Sequence, residues 1–405
     1  MKYFNLLLFS SLLFSFSVFG QLQDDFHQKL LTLDSHTDTP LMLGNEGFNF
    51  GIRNNPDNGG GRVDLVRMTE GGLDAVFFAV FTSQGIRTEE GNFKAKERAF
   101  KIFDNIDATV KANEANISLS TSSADARRNS ILGKKSIFIG IENGYPIGND
   151  LSLIETFYEK GARYITLCHS KNNDICDSST DSTEHHGLSK FGEEVVNEMN
   201  RLGIMIDVSH ISDEAFFDVL KLTKVPVIAS HSNARAICSH PRNLTDSMLF
   251  ELKKNGGVVQ VCVLSAYVKK QAPNPEKEKA IEALRMKYNN FNDLTTEQEK
   301  LAGNEWRAIE KQYKGKLASV SDLVDHIDHI VQLIGIDHVC FVGRKLKYAY
   351  KNSVEEIVEK YADYIPFHDK LDKALSRAMG DYCFLVRAED EAKVMEIQKF
   401  IHQFS

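Results

Sequence analysis

Five apolar runs in this chain lead directly to a side chain able to hold a metal ion. Residues 31–33 lead to His36 and Asp38, residues 136–141 to Glu142, and residues 164–168 to His169. Residues 204–209 lead to His210, and residues 226–230 to His231. Imidazole and carboxylate together, without a Cys-x-x-Cys pair, are a donor set suited to zinc or a similar divalent ion. His36 and Asp38 stand two residues apart at a strand end, so both side chains point the same way and can share one ion. Glu142 closes the run Phe138-Ile-Gly-Ile-Glu, and a carboxylate at the end of so apolar a strand needs a partner. Two ions bridged by its oxygens would serve, and so would an ion pair with Arg163. His210 and His231 end successive strands, and that repetition favours ligation over two separate structural roles. His169 suits either a further ligand or a substrate contact. His185 and His186 lie in a polar loop, and His326, His329 and His338 mark a helix and the start of the last strand. All five read as structural.

For such residues to meet, the strands must run parallel and end at one place. Eight strand-like runs are found, at 30–33, 74–81, 136–141, 163–168, 203–208, 225–230, 257–264 and 338–342. Most are continuously apolar, as in strands buried on both faces of a parallel sheet. Helical patterns lie between them at 94–112, 152–160, 192–202, 212–223, 245–254 and 320–334. Eight strands alternating with helices predict an α/β fold, a (β/α)8 TIM-like barrel with chemistry at the C-terminal mouth. Residues 269–316 are polar and helix-prone and read as an insertion after strand seven. Residues 344–405 read as a mainly helical C-terminal segment.

The 405 residues suffice for one large barrel with an appendage. A net charge of −8 argues against nucleic-acid binding. Lys2, the apolar stretch 6–19 and Val18-Phe19-Gly20 before Gln21 form a signal-peptide pattern. The expected organisation is therefore a signal peptide at 1–20, a barrel at 21–343 and a divergent segment at 344–405. An exported protein, periplasmic or extracellular, is expected, with no stable membrane span after cleavage. Three of the six cysteines (Cys168, Cys262, Cys340) sit within apolar strand runs, so no disulfide framework is expected.

Taken together, several segments resemble the membrane dipeptidase (renal dipeptidase) family of zinc peptidases. They are Asp34-Ser-His-Thr-Asp-Thr-Pro40, Gly140-Ile-Glu-Asn-Gly144, Tyr164-Ile-Thr-Leu-Cys-His169, Gly187-Leu-Ser-Lys-Phe-Gly192 and Ile206-Asp-Val-Ser-His210. Ser230-His-Ser-Asn-Ala234, Arg242-Asn243 and Asp325-His-Ile-Asp-His329 complete the set, in family order from about Leu31 to Val342. The insertion is similar to that of bacterial members. The resemblance implies a (β/α)8 peptidase with two zinc ions. His36 and Asp38 would bind one ion, His210 and His231 the other, and Glu142 would bridge them. His169 would bind substrate and polarise the scissile carbonyl, and Arg242 would receive the substrate's terminal carboxylate. The implied partner is a small dipeptide, with a homodimer left open. One departure stands out. The family follows its last strand with an Asp that serves as a proposed proton shuttle, and here that place holds Arg344 or Lys345. The same chain could thus be a catalytically impaired metal- or peptide-binding homologue. It could also be an amidohydrolase acting on another amide or a lactone.

Overall fold

The computed structural model describes residues 31–56, 61–291, 294–315 and 317–342. The signal-peptide pattern, Arg344, Lys345 and the segment 344–405 lie outside the described residues. The strands are β1 (Leu33–Thr37), β2 (Ala75–Phe81), β3 (Ile117–Leu119), β4 (Lys135–Glu142), β5 (Ala162–Thr166), β6 (Met205–Asp207), β7 (Ile228–Ser232), β8 (Val258–Cys262) and β9 (Val339–Val342). The helices are α1 (Leu65–Gly71), α2 (Glu89–Ala112), α3 (Ser123–Ile131), α4 (Ser152–Glu159), α5 (Lys190–Leu202), α6 (Asp213–Leu222), α7 (Asp246–Asn255), α8 (Ser265–Val268), α9 (Pro275–Lys287), α10 (Thr296–Gln312) and α11 (Val320–Ile334).

All pairings are parallel, in the order β1-β2-β4-β5-β6-β7-β8-β9, with β3 beside the start of β4. The two end strands, β1 and β9, lie against each other, so the sheet is a nearly closed barrel. This is the expected TIM-like architecture. Its strands are apolar because both of their faces are covered: every residue of β2 before Phe81 is buried, and so is all of β4 after Lys135. Inside, Phe77, Phe138, Tyr164, Met205, Ile228 and Val258 form one apolar cluster with Leu31 and Leu33. The helices cover the outer faces in a second, larger cluster.

The expected insertion after the seventh barrel strand is helical. Its helices α9 and α10 enclose a small core of Leu284, Tyr288 and Ala302, with Trp306 and Phe291 packed on it. Lys269 Nζ meets Asp322 of α11 at 2.6 Å, tying the start of the insertion back to the barrel. Helix starts are set by side-chain caps, as at Ser122 and Asp125 of α3 or Ser319 and Asp322 of α11, each a reciprocal capping box. Among the described residues Cys168, Cys176, Cys238 and Cys262 are free thiols. No described helix is long and apolar enough to cross a membrane.

Candidate metal centre

The strand ends deliver their side chains to the C-terminal mouth. β1 carries His36 and is followed by Asp38, β4 ends on Glu142, and β7 carries His231. His169 and His210 follow β5 and β6. Glu142 is the meeting point. His36 Nε2 lies 3.4 Å from its Oε2. On Oε1, His210 Nε2 lies at 3.3 Å, His231 Nε2 at 3.6 Å and His169 Nε2 at 3.8 Å. Asp38 joins at the edge, its Oδ1 3.6 Å from His36 Nε2. Two groups have ligand atoms close enough to hold an ion: His36, Glu142 and His231, and Glu142, His169 and His210. The alternative partner for Glu142 is ruled out, because Arg163 Nε donates instead to the Thr121 carbonyl, 2.8 Å away, and its guanidinium lies over Tyr158.

The backbone that presents these groups is specialised. His210 has a φ of 76° and Asn143, just after Glu142, a φ of 78°. Left-handed backbone costs a non-glycine residue about 1–2 kcal/mol. The surroundings impose it: the Ser179 N–H donates to the His210 carbonyl at 2.7 Å. Asn143 Nδ2 donates to the Thr82 carbonyl at 3.0 Å, and its Oδ1 accepts from Asn173 Nδ2 at 3.0 Å.

Electrostatics keep the donors ready. Burial pushes the His210 and His231 imidazoles well below their ordinary range, and the Arg242 charge adds to this in both. His169 is lowered as well, by burial, while Glu142 opposes and Arg242 assists. These three rings are therefore neutral at pH 7, as metal ligation requires. Burial alone would raise the Glu142 carboxyl, but His36, His210 and His169 outweigh it and hold it well below the usual carboxylate range.

Would a cation fit? His210 Nε2 and His231 Nε2 are 2.8 Å apart, and both also face Glu142 Oε1. Several electron-rich atoms crowded in a buried space around an ionised carboxylate are unfavourable without a positive charge among them. His210 Nδ1 is buried without a hydrogen-bond partner. Nitrogen and oxygen donors of this kind suit zinc.

Arg242 lies beside the cluster and is 3% exposed. Its Nη2 donates to the His231 carbonyl at 3.0 Å, Nη1 approaches Ser232 Oγ at 3.5 Å, and Nε is buried without a partner. The guanidinium carbon sits 5.3 Å from the centre of the Tyr267 ring.

Four of the histidines read as structural have partners away from Glu142. His326 bridges the Ala234 N–H and the Val268 carbonyl, His329 meets Asp246, and His338 meets the Gly257 carbonyl. His185 meets the Asn173 carbonyl.

Residues that the sequence reading passed over lie directly beneath the imidazoles. The Tyr164 hydroxyl meets His36 Nδ1 at 2.9 Å. Its ring reaches there because Gly140 leaves room: a Cβ at that position would lie 2.0 Å from the ring. Ser230 Oγ meets His231 Nδ1 at 2.7 Å and in turn donates to Asp207. An Asp at position 207, inside an apolar strand run, was the available signal.

The model of the membrane dipeptidase family (peptidase family M19) matches residues 21–358, and the chain belongs to that family. Dipeptidase tcpJ of Claviceps purpurea is 30% identical over 284 residues, which cover 69% of this chain and 57% of that protein. Dipeptidase 3 of Mus musculus is 36% identical over 238 residues, or 56% of this chain and 46% of that one. The chain thus spans about half of the length of these curated relatives. Among solved structures, the probable dipeptidase PvdM from Pseudomonas aeruginosa superimposes with a TM-score of 0.69 at 25% identity, covering 87% of this chain and 94% of that one. A metallo peptidase from Rhodobacter sphaeroides, liganded with a phosphinate mimic of the dipeptide L-Ala-D-Ala, shares the fold. Its TM-score is 0.61 at 20% identity, with 85% of this chain and 95% of that one covered.

Proposed function

Starting from membership of that family, we propose that the protein is a metal-dependent dipeptidase, exported from the cell, that hydrolyses the peptide bond of a dipeptide. By the family resemblance His36 and Asp38 would hold one zinc ion and His210 and His231 the other, with Glu142 shared, although the ligand atoms also group as His36 with His231 and His169 with His210. The observation that carries this reading is the convergence of four imidazole Nε2 atoms on the two oxygens of one buried carboxylate. When bound, the ion pair supplies a water activated near neutral pH and a positive field for the reacting carbonyl.

The chain's own residues do the rest. His169 is the most open of the four rings, with 28% of its side chain exposed against 5–10% for the others and 5% for Glu142. Edge-on packing by Phe81, at 4.8 Å between ring centres, limits its tilt. Neutral and reachable, it can donate an N–H to the carbonyl oxygen as negative charge grows there. Arg242 offers a planar fork to the substrate's C-terminal carboxylate. Its buried, unpaired Nε–H fits a role completed by ligand.

A second reading is favoured by one observation. By the resemblance read from the sequence, Arg344 or Lys345 takes the place of the family's strand-eight Asp. Absence of a general acid or base lowers rates by roughly 10²–10⁴-fold, which would leave a weak enzyme or a binding protein. The test is metal analysis of the purified chain with a dipeptide-hydrolysis assay, beside Arg344→Asp and Lys345→Asp. Retained zinc, weak hydrolysis and a gain in one Asp variant are expected. A chain that holds no divalent ion and cleaves no dipeptide, with or without the Asp, would overturn the proposal.

A further inference from the structure

Below the imidazoles lies a buried polar relay for which the family resemblance supplied no role. Asp207, at the end of β6, is fully buried and uses both carboxylate oxygens. Oδ1 accepts two backbone N–H groups, from Ser209 at 3.0 Å and Ser230 at 2.9 Å. Oδ2 accepts the Thr166 hydroxyl at 2.5 Å and the Ser230 hydroxyl at 2.6 Å. Four donors converge on one carboxylate, and none belongs to the substrate-facing surface.

Ser230 has a single hydroxyl proton, and the carboxylate takes it, because charge-assisted hydrogen bonds are the stronger ones. Its oxygen is then an acceptor where it meets His231 Nδ1 at 2.7 Å. Nδ1 must therefore carry the hydrogen. A neutral imidazole has only one N–H, so Nε2 presents its lone pair. The looser neighbour, Ser209 Oγ at 3.4 Å from Ser230 Oγ, can only add a second donor and leaves this direction unchanged. Ser209 Oγ itself accepts the His231 backbone N–H at 3.0 Å, which fixes where the ring begins.

We infer that Asp207, acting through Ser230, is a positioning residue of the metal centre: it holds His231 in the Nδ1–H tautomer with its Nε2 lone pair turned toward Glu142. The inference rests on the reading of His231 as a ligand given above. A change of polarity at Asp207 should therefore reach the centre without removing any ligand.

Asp207→Asn provides that change. Two backbone N–H groups require an oxygen at the Oδ1 position, so the amide NH2 falls where Oδ2 was. It then donates to Ser230 Oγ, the Ser230 proton turns to His231 Nδ1, and the imidazole proton moves to Nε2. Nitrogen NMR of the metal-free protein should show His231 as Nδ1–H in the parent chain and as Nε2–H in Asp207→Asn. Zinc affinity, measured by competition with a chromophoric chelator, should fall about 10–100-fold, the usual cost of losing an outer partner of a ligand. The double variant Asp207→Asn/Ser230→Ala has no hydroxyl to relay the reversed polarity and should regain part of that loss. A merely structural Asp207 would make the double variant worse than the single one, and that result would overturn the inference. An unchanged tautomer in Asp207→Asn would overturn it too. Should that variant not fold, Ser230→Ala carries the test, with a mixed tautomer expected and a pure Nδ1–H form refuting the relay. A parent chain that binds no zinc would defeat the metal reading, while the metal-free NMR would still decide the relay.

Discussion

Replacing Arg242 by Ala separates substrate recognition from the chemistry at the metal centre. Arg242 is almost wholly buried, and two of its N–H groups are held by the His231 carbonyl and Ser232 Oγ. Nε–H is buried without a partner, and the remaining edge of the fork, beside Tyr267, is what a carboxylate would meet. A hydrogen bond to a charged group contributes about 1.5–3 kcal/mol net. At about 1.4 kcal/mol per tenfold, loss of the guanidinium should raise KM for dipeptides roughly 10–100-fold. The same dipeptides amidated at the C-terminus lack the carboxylate, so their already poor KM should hardly move. Arg242→Lys keeps the charge without the fork and should fall between. The assay is initial-rate kinetics on paired free-acid and amide substrates. The pH profile supplies a second readout. The Arg242 charge helps to lower His169, His210 and His231. Its removal should raise all three, so protonation on acidification begins at higher pH and the acid limb moves up. Equal KM changes for acid and amide, or an unmoved acid limb, would refute the assignment.

Glu142→Gln keeps the shape of the side chain but removes the charge that four imidazoles surround, so bound zinc should drop sharply while circular dichroism stays that of the parent. Unchanged zinc per chain would make Glu142 merely structural. Because burial and Arg242 hold His210 and His231 well below the ordinary imidazole value of about 6.5, these rings stay neutral as pH falls through that value. Zinc measured after equilibration at a series of pH values should therefore persist below it, and half-loss at or above it would contradict the lowered values. In Gly140→Ala the new Cβ would fall 2.0 Å from Tyr164 Cζ. Overpacking of this kind costs about 1–3 kcal/mol. A lower melting temperature and weaker zinc binding should appear together, because Tyr164 must leave His36; an unchanged melting temperature would show that the ring has other room.

The barrel was legible because its strands are covered on both faces. Phe77 and Phe138 face inward while Val76 and Ile137 meet the helices, so β2 and β4 read as unbroken apolar runs. Their ligand-bearing ends were legible for the same reason, since a His or Glu after such a run is a sharp change of polarity. β1 was harder. Its apolar run ends at Leu33, yet the strand continues through Asp34, Ser35 and His36 to Thr37. Those polar residues find partners in the fold: Ser35 Oγ donates to the Ser230 carbonyl of β7 at 2.8 Å, and within β1 itself Asp34 accepts the His36 N–H at 3.0 Å. Neither β3 nor α3 was read, because three residues give no period and α3 carries only a narrow apolar face. The Thr166–Asp207–Ser230 relay escaped for a different reason. Its members come from three strands, and it is strand pairing that sets Thr166 opposite Asp207. Nothing about residue types 41 and 23 positions apart marks them as partners.

The four rings around Glu142 are held to different degrees, and the order makes chemical sense. His36 is backed by the Tyr164 hydroxyl, and His231 by Ser230 and Asp207. His210 is held mainly by a left-handed backbone and by packing against the tilted His169 ring and edge-on against His231, with ring centres 4.3 and 4.8 Å away. His169 has only Ser170 Oγ, at 3.1 Å on the exposed side, behind its Nδ1. Outer partners fix the orientation and tautomer of a ligand ring, so those with buried partners are suited to hold an ion in one place. A group that must follow a carbonyl oxygen as its geometry changes needs more freedom. His169, packed edge-on by Phe81 but with no buried hydrogen-bond partner, is the ring that solvent, and therefore substrate, can reach. For His36 and His231 the holding role is thus set by the buried partner behind the ring, and for His210 against His169 by burial alone.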